Sequence, residues 1–171
     1  MGIEQSILEI LDQVFGRHLG KYEGTVVEVE PGGRGRIKAM VPAVLRDTPS
    51  GWCEPCVPYA GPQVGFAFLP EVGSGVWIEF RGGDSSHPIW TGCYWRDGEL
   101  PPAVTPAKKL IRTKAGHQIL LDDDAGSITI TDASGNTITL DGSGIALVSG
   151  SGKVVIADSK VTVNDGAVEV E

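Results

Sequence analysis

The chain has 171 residues, 41% of them hydrophobic and 21% charged, and a formal net charge of −8. That composition is neither that of a disordered chain nor that of a membrane-embedded one. The acidic balance argues against binding along a phosphate backbone, which needs a basic face. Twenty-four glycines, about twice the ordinary share, suit a turn-rich β architecture. Three cysteines, an odd number, argue against a secreted disulfide framework. No basic-then-apolar leader opens the chain, and no apolar run approaches the roughly 18 residues of a membrane span, so synthesis in the cytoplasm without cleavage is expected.

Residues 3–19, IEQSILEILDQVFGRHL, set Ile3, Ile7, Leu8, Ile10, Leu11, Val14, Phe15 and Leu19 at spacings of three and four. This is the apolar stripe of a helix over residues 1–20, with Gly20 as its stop. The stripe through Ile7, Leu11 and Phe15 has two outlets, packing on its own barrel or docking on a partner.

Residues 21–96 change period. YEGTVVEVE and GRIKAMVP read as strands parted by the turn signal PGGR, and GFAFLP, GVWIEF and HPIWTGCYW follow at short spacing. Five or so short strands without a helix among them predict a small β-barrel. Trp52, Trp77, Trp90 and Trp95 all fall here and are expected in its core. Residues 97–108, DGELPPAVTPAK, hold three prolines and no alternation, which predicts an extended linker.

Residues 109–171 contain no aromatic residue and break into short segments, among them HQILLD, SITIT, NTITL, GIALV, KVVIA and KVTVN. They start roughly seven to ten residues apart, with turns such as DASGN and DGSG between them. A strand of four or five residues with one apolar face cannot bury that face alone. Ile128 and Ile130 point one way, Thr129 and Thr131 the other, and Ile138 and Leu140 repeat the alternation. A single-chain solenoid needs coils of about 20 residues, so several chains winding together fit these segments better. The expected object is a homotrimeric β-prism with Ile130, Leu140, Leu147 and Ile156 along its axis and backbone ladders running between chains.

Three stretches then carry a resemblance: GRIKAMVPAV (35–44), WCEPCVPYAGPQVGFAFLPEVGSGVWIEFRGGDSSHPIWTG (52–92) and KAGHQILLDDDAGSITITDASGN (114–136). In that order they resemble the central-spike family of contractile injection machines, which includes phage baseplate assembly protein V, lysozyme-bearing tail spikes and the VgrG spikes of type VI secretion. The resemblance implies an all-β fold: an OB-fold barrel with an N-terminal helix, then a trimeric intertwined β-helix. It further implies a virion or injection-particle baseplate protein, assembled in the bacterial cytoplasm and mounted below a tail hub protein. Such a spike pierces the target cell envelope when the sheath contracts.

Two departures from the family pattern matter. Where some members carry a lysozyme domain, this chain has only its short linker, so no enzyme is expected. Some short spikes end in a His-x-His iron apex, whereas the histidines here are His18, His87 and His117. No metal and no cofactor is therefore expected. The end reads NDGAVEVE, and Val168 and Val170 alternate with Glu169 and Glu171. Three such strand ends around an axis leave open edges, which suits β-augmentation by a conical PAAR-type tip protein on residues 164–171.

CEPC (53–56) has the spacing of half a zinc or redox site, but with only Cys93 beside it the three thiols fit buried or partly buried barrel positions better. Asp122, Asp123 and Asp124 lack the alternate spacing of an EF-hand loop. His117 has no nucleophile or second histidine at useful spacing and suits a structural hydrogen bond where the barrel hands over to the strands that follow. Nothing in the sequence fixes any two of Glu79, Asp84 and Asp97 at a glycosidase separation. GGRGR (32–36) joins two strands and so reads as a turn, not a phosphate cradle. The remaining alternative is an OB-fold module binding oligosaccharide.

Overall fold

A computed structural model of the protein describes Ile7 and residues 16–170, the side chains of Glu169 and Val170 excepted. The helix expected over 1–20 thus lies mostly outside the described residues, Leu11 and Phe15 with it. Ile7 is helical and half-exposed. Residues 16–20 are not helical, and the His18 amide donates to the Gly83 carbonyl. Two compact units make up the chain, residues 1–99 and 100–171.

The first unit is built on β1 (Tyr22–Val29), β2 (Ile37–Met40), the short helix α1 (Pro42–Leu45), β3 (Glu54–Pro55), β4 (Ala60–Gly61), β5 (Val64–Gly65), β6 (Gly75–Phe80) and β7 (Pro88–Tyr94). Five of the strands form one sheet in the order β2-β1-β6-β7-β3, antiparallel except where β3 meets β7. This is an OB-like half-barrel. Alternation decides its inner face: Val26, Ile37, Ala39, Val76, Ile78, Phe80 and Trp90 are buried, with Val41 and Cys53 closing the core. A bulge between Val26 and Glu28 turns Val27 outward.

Two expectations for this unit are corrected. Only Trp90 of the four tryptophans is buried, because aliphatic strand residues already fill the interior. Trp52 instead lies under the cations of Lys38 and Arg36, Trp77 packs on Tyr94, and Trp95 is 64% exposed. GFAFLP is not a sheet strand. Only β4 and β5 pair there, as a separate two-stranded hairpin, and Phe66 to Pro70 continue without strand pairing.

The second unit is one sheet of eight strands: β8 (Lys108–Arg112), β9 (Gln118–Asp122), β10 (Ser127–Thr131), β11 (Thr137–Asp141), β12 (Gly144–Ser149), β13 (Gly152–Ala157), β14 (Lys160–Val163) and β15 (Val168–Val170). Each strand pairs antiparallel with the next, from β8 at one edge to β15 at the other. The ladders expected between chains therefore run, along these strands, between neighbours of the same chain. Aspartates make the turns. Asp132 accepts from the amides of Ser134 and Asn136, Asp141 from the amide and hydroxyl of Ser143, and Asp122 from the amide of Ala125. No helix among the described residues is long and apolar enough to cross a membrane.

Candidate functional site

The register of the eight-stranded sheet sorts its side chains into columns. Ile111 stands opposite Ile119, which stands opposite Ile130, then Ile138, Leu147, Val154, Val163 and Val168. Two residues along each middle strand lies a second column: Leu121, Ile128, Leu140, Ile145, Ile156 and Val161. Residues two apart on a strand share a face, so both columns lie on the same side of the sheet. One face is thus a continuous aliphatic panel, two side chains wide.

Among the described residues of the second unit, nothing covers this panel. No described residue of the second unit is buried. Ile130, Leu140, Leu147 and Ile156, the residues expected on an axis, are 38–42% exposed and all lie on the panel. Ile111, Leu121, Ile128, Ile138 and Ile145 are exposed beside them. Covering each such side chain is worth about 1 kcal/mol at the exposure it retains, so the panel as a whole favours association strongly. The opposite face carries Thr129 paired with Thr139 and Thr131 with Thr137, mixed with Leu120, Ala146, Val148 and Val155. It is polar enough for water but less purely polar than the sequence suggests.

The panel residues that sequence reasoning passed over, such as Ile119, Ile145 and Val154, follow the same alternation as the four it chose. The signal was present, and only the strand phase was needed to read it. At the far end, Val168 is exposed on the edge strand β15, and the backbone of Glu169 and Val170 pairs with Thr162 and Val161. Glu171 lies outside the described residues.

Several of the other candidate groups are drawn into structural pairs. Glu79 meets Lys21, and Asp84 accepts from the Ser86 amide and meets His87. Asp122 and Asp123 pair with Lys108 and Lys109. His117 accepts at Nδ1 from the Ala133 amide at 3.2 Å, inside the second unit. Cys53 is buried against Ser50, and burial pushes its thiol above the ordinary range. Cys56 and Cys93 are exposed, which corrects the expectation that all three thiols are covered.

The glycine-rich turn 32–36 is a folding device. Gly32, Gly33 and Gly35 have φ of 71°, 90° and 70°, a region that favours glycine. The turn lets Arg36 fork onto the Glu30 carboxylate and lets the Gly35 carbonyl accept from Trp90 Nε1 at 3.1 Å. Arg36 holds the Glu30 carboxyl down to about 2.

Comparison with known proteins divides the chain at the same places. Residues 22–95 match the family model of the type VI secretion system/phage-baseplate injector OB domain. Residues 108–169 match that of the phage baseplate V C-terminal trimerisation domain. Among curated proteins, the chain is 30% identical over 104 residues to the actin cross-linking toxin VgrG1 of Vibrio cholerae serotype O1. That alignment takes in 54% of this chain and only 10% of the relative, so the chain spans about a tenth of that protein. The trimerisation match falls on the strands that carry the uncovered panel.

Proposed function

The chain belongs to the baseplate V and VgrG spike family, and from that premise we propose that it is the non-enzymatic central spike of a contractile phage tail or a phage-tail-like particle. It is a homotrimeric component of a phage or injection particle. In the proposed role it is assembled in the bacterial cytoplasm, is mounted below the tail hub, and pierces the target envelope when the sheath contracts. The observation that carries this is the aliphatic panel: an eight-stranded sheet with no core of its own and one apolar side, which three copies can close around an axis. Strand spacing near 4.8 Å makes such a prism about 34 Å long. Pairing within each chain keeps the backbone satisfied while force is applied along the prism.

Two partners complete the role. The stripe of Ile7, Leu11 and Phe15 docks on the barrel or on the hub protein above it. The strand ends around Val168, Glu169, Val170 and Glu171 receive a PAAR-type tip protein by β-augmentation. The function is tested by building particles with Ile130→Asp in place of the natural chain. Particles whose sheath still contracts should fail to breach target cells, or no particles should form at all. Particles that assemble and breach as the natural ones do would contradict the role.

A further inference from the structure

The half-barrel carries a second apolar surface, on the arm formed by residues 57–70. From Val57 to Pro70 this stretch holds no charged residue, in a chain of net charge −8. Its β4–β5 hairpin pairs with no other strand, and an isolated two-stranded hairpin is marginal in water. Both ends are fastened: Val57 packs against the core, Pro70 is buried, and Leu69 lies against Gly35. Between those anchors the apolar side chains face outward. Tyr59, Val64, Phe66, Phe68, Leu69 and the adjoining Val72 are between 48% and 62% exposed, and the rings of Phe66 and Phe68 touch, with centroids 4.6 Å apart.

From this we infer that the arm of each protomer packs on the half-barrel of its neighbour in the trimer, with Phe66 and Phe68 seated near Val27 and Trp95. The inference rests on the homotrimer. Among the described residues of the first unit, the exposed large hydrophobics away from the arm are Ile7, Leu19, Val27 and Trp95. Val27 and Trp95 each neighbour a residue bonded to Gly73: its amide donates to the Val26 carbonyl and its carbonyl accepts from Arg96, so both lie near the turn that follows Val72. Phe66 and Phe68 of one protomer set on that patch of the next make a head-to-tail contact, which threefold symmetry closes into a ring.

Size and tethering favour the same occupant. Three half-exposed rings and three half-exposed aliphatic side chains leave roughly 500 Å² of apolar surface on the arm. With the surface it covers, that approaches the roughly 1,000 Å² of a stable interface. Thirteen residues, 95–107, separate β7 from β8 and span at most roughly 45 Å. The second unit, once trimerised into a shaft, therefore holds the three half-barrels at an effective concentration of about millimolar, where even a weak contact forms.

Hydrogen exchange on the purified full chain tests this without hub or tip protein present. Amides of residues 58–69 should exchange at least about tenfold more slowly in the trimer than in an Ile130→Asp chain that stays monomeric. In the double variant Phe66→Ser, Phe68→Ser, light scattering should still give a trimer while that protection disappears. Equally fast exchange of the arm in a verified trimer and in the monomer would overturn the inference and leave the trimer standing. A natural chain that light scattering finds monomeric would overturn both.

Discussion

Glu30 and Gly144 show how single residues hold each unit. The Glu30 carboxylate accepts from Arg36 Nε at 3.0 Å and from the Arg34 amide at 3.2 Å, and its pKa falls from 4.5 to about 2, chiefly through Arg36. A carboxyl whose folded pKa is depressed contributes stability above its unfolded value and loses it as pH falls through the folded value. Glu30→Gln should therefore destabilise the half-barrel above about pH 5. The gap to the natural protein should close between pH 4.5 and 2. Urea melts at several pH values check this, and a gap that stays constant down to pH 2 would contradict it. Gly144 opens β12 at φ 132°, where an added Cβ would overlap the Ile156 carbonyl oxygen. Backbone cannot yield there as a flexible side chain could. Gly144→Ala should cost about 3 kcal/mol or more and lower the melting temperature of the shaft sharply, which calorimetry reads directly.

At the scale of elements, the decisive feature is the phase of each shaft strand. Ile130 lies on the panel opposite Ile138, and Thr129 lies on the other face opposite Thr139. Ile130→Asp should cost about 3–5 kcal/mol per trimer, because three like charges meet without partners, whereas Thr129→Asp should be tolerated. Equal melting temperatures would mean that the panel faces water. The shaft strands were legible because period-two alternation and Asp-Gly turns leave little choice of phase. The half-barrel was less so. GFAFLP has the composition of a strand, but it pairs only at its start, Gly65 with Ala60 of β4 and the Phe66 amide with the Tyr59 carbonyl, and it joins neither edge of the five-stranded sheet. Tryptophan content misled for another reason: chiefly aliphatic strand residues fill the interior, leaving Trp52 to lie beneath Lys38 and Trp95 to face outward. The N-terminal stripe makes its own prediction. Deleting residues 1–19 should leave the shaft trimeric while impairing incorporation into particles, and normal incorporation of the shortened chain would refute a docking role.

For the whole molecule, the uncovered panel predicts that association and folding of the shaft are one event. The half-barrel has a buried core within a single chain, and the shaft sheet has none. Removing residues 164–171 takes away β15, the edge strand proposed to receive a tip protein, while leaving seven strands of the panel in place. The trimer should survive that truncation and tip binding should not. A tip protein that still binds would place its site elsewhere. The purified spike should contain no iron, and one iron per trimer by elemental analysis would contradict the expected protein-capped end. The measurement that bears most directly on all of this is the mass of the purified full chain by light scattering at micromolar concentration. The uncovered panel predicts a single species at three times the 18.0 kDa chain mass. A monodisperse 18.0 kDa species with a cooperatively folded shaft would contradict it.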